Sequence, residues 1–187
     1  LTATGLQRVS ATGGEPTILT TPNRERGESD HLYPHFLPGS QAVLFTITFT
    51  TAGIDASQVA VLDLRDVKSP PKILVRGGSQ AQYVSSGHLV YTAAGTLRAI
   101  PFDLNRRETI GSAVPLISQV VTLSTGTAEF DVSRDGTLIY VTGGGGASQP
   151  RAEAANRSGR VGAAERLKLS PELPAIGATL PPAANQV

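Results

Sequence analysis

The chain has 187 residues, 16 basic and 15 acidic for a net charge of +1, with the two signs mixed along its length. That balance leaves no block of like charge for a nucleic acid or a membrane surface, so neither is expected as a partner. Cysteine is absent, which excludes disulfides, thiol catalysis and cysteine-built zinc sites, and suits the cytoplasm or a cysteine-avoiding periplasmic protein.

Taken in chain order, residues 6–10 read as a short strand, 12–16 as a turn and 17–20 as a second strand. Residues 21–30 are polar and punctuated by Pro22 and Gly27, the composition of a loop. A first full unit follows: a lead-in at 33–37, a turn at 38–41 and a long buried strand at 42–50. Residues 51–57 turn, 58–64 read as an alternating strand, and 72–75 close the unit after 66–71. The second unit repeats the order, with strands at 82–84, 89–92, 96–102 and 113–117 and turns at 85–88 and 93–95. A third starts at Glu129 and delivers two strands that end near Val141. No apolar run approaches the roughly 20 residues needed to cross a bilayer, so this segment is not expected to insert.

One pattern is written three times. Phe36, Pro38, Gly39, Val43, Leu44 and Phe45 belong to a stretch that returns at 83–92, with Tyr83, Gly87, Leu89, Val90 and Tyr91. It returns again at 132–141, with Val132, Gly136, Leu138, Ile139 and Tyr140, so the offsets are 47 and 49 residues. A tight turn feeding a β-branched and aromatic strand at that period marks a blade-type β-repeat. The expected fold is therefore all-β: a partial β-propeller over residues 1–142, with about three four-stranded antiparallel blades, incomplete at both ends. Closed propellers use about four to eight blades, so the remaining blades are expected from a longer parent chain. Leu at position 1 and the lack of any Met fit an internal piece of such a parent. The terminal blades would expose an unpaired edge and an apolar face, and poor solubility is the consequence.

All five Phe and all four Tyr fall between Tyr33 and Tyr140. From Gly143 onward there is no aromatic residue, and 22 of the last 45 are Ala, Gly or Pro. Without large side chains there is nothing to build a core, so 143–187 is expected to be a low-complexity tail, either disordered or translated out of frame. The run 143–146 lacks the Lys-Ser/Thr ending of a phosphate loop and reads as a hinge.

The repeats resemble the TolB-like, WD-repeat-like propeller blades of bacteria, best at Val132-Ser133-Arg134-Asp135-Gly136 and the strand that follows. Gly5-Leu6-Gln7-Arg8-Val9, Gly13-Gly14-Glu15-Pro16-Thr17 and Tyr33-Pro34-His35-Phe36-Leu37-Pro38 resemble one subgroup of them. That subgroup is carried behind the kinase domain and membrane span of eukaryotic-like bacterial serine/threonine protein kinases. The resemblance covers residues 1–142. It departs where Gly39-Ser40 stand for the usual Asp-Gly, and where Tyr33 replaces a frequent Trp. It implies a non-catalytic, periplasmic or otherwise extracytoplasmic region that senses or binds a protein or ligand, with a cytoplasmic location as the alternative. Neither the kinase motifs nor a Gly-x-Ser-x-Gly elbow occurs in this sequence, so no enzyme activity and no cofactor is expected of it. Two alternatives stay open: the gating propeller of a prolyl-oligopeptidase-like serine peptidase, and a TolB-type periplasmic scaffold.

Propellers usually bind at the mouth of the central channel, faced by residues that enter each innermost strand. By repeat alignment these are His35, Gln82 and Asp131, with Tyr33 and Glu129 beside them, a polar rim for a protein or a small polar ligand. The bland alternative is that they only satisfy turn backbone groups. Asp30, His31 and His35 carry metal-ligand chemistry, but Pro34 sits in an extended segment that does not present them on one face, so they are weak candidates and no metal is assigned. Asp135-Gly136 reads as turn chemistry, with Asp capping and Gly at positive φ.

Overall fold

The computed structural model describes residues 5–123, 126–133 and 136–143, together with the strand 165–166. They form four antiparallel sheets, none closed on itself, and the only helical pieces among them are short 3-10 turns. β1 (Gln7–Arg8) and β2 (Thr17–Ile18) make the first sheet. The second contains β3 (Glu28–Phe36), β4 (Ala42–Phe49), β5 (Gln58–Asp63) and β6 (Lys72–Arg76), side by side in chain order. The third runs β7 (Ser79–Val84), β8 (His88–Ala93) and β9 (Thr96–Asp103). The far edge of β9 takes both β10 (Glu108–Thr109) and β11 (Val114–Ile117). The fourth holds β12 (Phe130–Val132), β13 (Thr137–Tyr140) and β14 (Glu165–Arg166). No helix among the described residues is long and apolar enough to cross a membrane.

Strand alternation explains how the sheets meet. On β4 and β5, Val43, Phe45, Ile47, Ala60 and Leu62 turn one way and pack against Leu6, just before β1. Leu44, Val59 and Val61 turn the other way and meet Ala81, Leu89, Tyr91, Ile100 and Phe102 of the third. On the third sheet the opposite parity, Val84, Val90, Leu97 and Ala99, packs against Val120, Phe130 and Leu138. Both faces of the two middle sheets are thus buried, and β4 reads as a continuous apolar run for that reason. Each fully buried Leu or Phe of this kind stabilises the stack by about 1.5–3 kcal/mol. Near the two end sheets, by contrast, Val9, Ile18, Leu123 and Ile139 remain exposed.

The structure corrects several boundaries. β3 begins at Glu28, five residues before the expected lead-in and inside the expected loop. The long β4 provides the partner: Thr48 Oγ1 accepts from the Asp30 N–H and donates to the Asp30 carbonyl, both at 3.1 Å. Polar composition hid this strand because its contacts are made by a threonine, not by a core. Before it, Asn23 caps the turn Arg24–Arg26 by accepting from the Arg26 N–H. The first turn is also one residue longer than the second. Leu37 bonds Ala42 across four residues, whereas Val84 pairs with His88 across three. Beyond the turn the true offset is therefore 46, with Val43 matching Leu89. Gly136 does hold a positive φ of 86°. The capping role expected of Asp135, and the expected tail beyond Gly143 apart from β14, lie outside the described residues.

Candidate functional site

The opening strands of the second and third sheets share one irregularity. Pairing slips between Leu32 and His35 on β3 and between Ser79 and Gln82 on β7, positions 47 apart in both cases. Inside each slip sits a non-glycine residue at positive φ, Tyr33 at 54° and Gln80 at 52°. Such a bulge leaves one residue unpaired and re-aims its side chain. Both side chains reach the fourth sheet's approach. Tyr33 Oη lies 2.8 Å from Thr127 Oγ1. The Gln80 carboxamide donates to the Ala128 carbonyl at 3.1 Å and accepts from the Ala128 N–H at 2.7 Å.

Two residues further on, the strands gather round a groove of about 580 Å³. Its walls come from all three repeats: His35 and Phe36 with the turn 37–40, then Tyr83 and Ser85, then Val132 and Ser133. Phe36, Tyr83 and Val132 are the aligned positions of the repeat. Phe36 is 60% exposed, while Tyr83 rests edge-on against Phe102. Of the five rim residues expected from sequence, His35 alone lines the groove. Gln82 and Asp131 stand behind it, where Gln82 Oε1 accepts from the Val132 N–H at 3.2 Å and Asp131 caps the same N–H at 2.9 Å. Tyr33 is tied to Thr127 in the bulge layer. Glu129 is exposed, and among the described residues only its backbone is engaged, to Val121 and Val141. Gln80, Phe36 and Ser85 were not among the expected rim residues, although Phe36 opens the repeat and the 47-residue offset from Tyr33 points directly at Gln80.

Burial pushes the His35 imidazole below its ordinary value, and the nearby Asp131 carboxylate opposes the shift in part. Neutral His35 can both donate and accept, as can the hydroxyls around it. The groove therefore offers mixed hydrogen-bonding groups beside an exposed aromatic face.

The residues weighed for a metal separate. His31 is buried against the Phe45 ring in a different cavity from His35. Its Nε2 faces Glu28 Oε2 at 3.2 Å and its Nδ1 faces Thr20 Oγ1 at 2.8 Å. A carboxylate only accepts, so Nε2 carries the proton. Thr20, already accepting from the Leu6 N–H at 2.8 Å, is then free to donate to Nδ1. Burial lowers the His31 pKa more than Glu28 raises it, which fits the neutral ring. Among the described residues no group of three His, Cys, Asp or Glu is placed to hold a metal.

Comparison with known proteins gave no match to a family model and none to a curated protein.

Proposed function

We propose that this chain is a non-catalytic binding segment, a run of β-propeller blades whose groove at the ends of β3, β7 and β12 takes an extended peptide or a small polar ligand. One observation carries the reading: Phe36, Tyr83 and Val132, equivalent positions in three successive repeats, line one groove. Two others support it. The sheets pack face to face in chain order, and the bulges of β3 and β7 recur at the repeat spacing. The resemblance of residues 1–142 to kinase-linked TolB-like blades gives the setting, the extracytoplasmic sensory region of a bacterial serine/threonine protein kinase.

Panning a random peptide library on the immobilised chain, then titrating the recovered peptide against variants, tests the groove. Phe36→Ala and His35→Ala are expected to weaken binding about tenfold each, as removal of an anchoring contact does. Phe36 is exposed, so its loss leaves the core intact. Equal affinity for both variants and the parent would reject the groove as the site.

A further inference from the structure

A second cavity, of about 530 Å³, lies between the first sheet's return at 19–28 and the face of β4–β6. Its volume is in the range of small-molecule sites, about 300–1,000 Å³. The floor is apolar, with Leu19, Phe49 and Ile73 only partly covered by the core they rest on. The rim is cationic. Arg26 comes from the turn after Asn23, Lys68 from the β5–β6 connection and Arg76 from the end of β6, and all three line the cavity.

These cations differ from their neighbours. Arg65 and Arg107 share Asp63, Lys72 pairs with Glu108, and Arg106 approaches Asp103. Arg26, Lys68 and Arg76 form no ion pair, and their side chains no hydrogen bond, with any described residue. The one carboxylate in the lining, Glu28, is already engaged by the Asn23 N–H at 2.7 Å and by His31. Three cations from distant segments, unpaired among the described residues, thus line the cavity with an apolar floor and one occupied carboxylate.

We infer that this cavity is a ligand site for a small amphipathic anion, a carboxylate, sulfonate or phosphate head on an apolar body. The head sits among Arg26, Lys68 and Arg76, and the body covers Leu19, Phe49 and Ile73. The site is separate from the groove of the three repeats and does not depend on it.

Fluorescence titration of the full chain with anilinonaphthalene sulfonate, beside uncharged N-phenylnaphthylamine, tests this. The triple variant Arg26→Gln/Lys68→Gln/Arg76→Gln is expected to bind the sulfonate about tenfold more weakly, because it removes the charges that attract the anionic head. Binding of the uncharged dye is expected to persist. All three side chains belong to exposed residues, and circular dichroism checks that the fold stands. A control, Arg8→Gln/Lys72→Gln/Arg106→Gln, removes the same charge elsewhere and is expected to change nothing. Equal weakening by the control, parallel loss of both dyes, or unchanged sulfonate affinity in the first triple overturns the inference. For the unaltered chain, sulfonate affinity is expected to fall with added salt, and a flat salt dependence also counts against it.

Discussion

Gln80 holds a left-handed backbone, which costs an L-residue about 1–2 kcal/mol, and its carboxamide offsets that cost by closing a two-way bridge to Ala128. Gln80→Leu is expected to destabilise the chain by about 1–3 kcal/mol in urea unfolding, since the Ala128 N–H loses its acceptor and the Ala128 carbonyl keeps only the Phe130 N–H. A Leu variant as stable as the parent would show that the bridge contributes nothing. The sequence hid this role because a glutamine between turns and strands looks like any solvent-facing side chain; only its register with Tyr33 distinguishes it. The histidines give a second residue-scale consequence. Burial lowers the pKa of all three, His31, His35 and His88, below 6.5. His88 donates from Nδ1 to the Ser86 carbonyl, while its buried Nε2 has no partner among the described residues. The unfolded chain therefore binds protons first on acidification, so this contribution is complete above the ordinary histidine pKa and is lost as pH falls through the lowered folded values. Asp63 and Glu108 are shifted down by their cationic partners and act only at more acid pH. The urea midpoint is expected to fall from about pH 8 to about pH 5.5; a flat or rising midpoint contradicts the assignment.

At the scale of elements, the apolar strands were the legible part and the polar ones were not. β4 and β5 announce themselves by Val43, Leu44, Phe45, Val59, Val61 and Leu62, which fill both faces of one sheet. The first half of β3 carries Glu28, Ser29 and Asp30, whose ladder runs through Thr48, and no hydrophobic period marks it. β10, two residues long, pairs with the end of β9 and leaves no pattern to read. The first sheet depends on a close approach that sequence does show as glycine without its reason. A Cβ on Gly5 would come within 1.9 Å of the Thr20 carbonyl oxygen, a backbone atom with little room to yield. Gly5→Ala is therefore expected to displace Thr20, loosen the Leu6–Thr20–His31 chain of hydrogen bonds and cost more than about 1 kcal/mol. Faster amide exchange at Leu19 and Thr20, which both donate to the Leu6 carbonyl, is the local signature. Unchanged exchange and stability would mean that the approach is readily relieved.

For the whole molecule, sheets stacked in series produce a surface that no single sheet contains. The groove exists because three strand-turn junctions, 47 and 49 residues apart, arrive side by side. The repeat marks which junctions are equivalent, but not which side chains line the groove. An alignment fixes which positions are equivalent, whereas the bulges decide which side chains face inward, and only His35 of the five expected rim residues lines the groove itself. The same stacking leaves Val9 and Ile18 exposed near one outer sheet and Leu123 and Ile139 near the other. The most direct measurement is amide chemical-shift mapping of the isotope-labelled chain during titration with the peptide recovered by panning. The largest shifts are expected together at His35, Phe36, Tyr83, Ser85, Val132 and Ser133, drawn from all three repeats. Shifts confined to one sheet, or centred on Arg26, Lys68 and Arg76, would contradict a shared groove as the binding site.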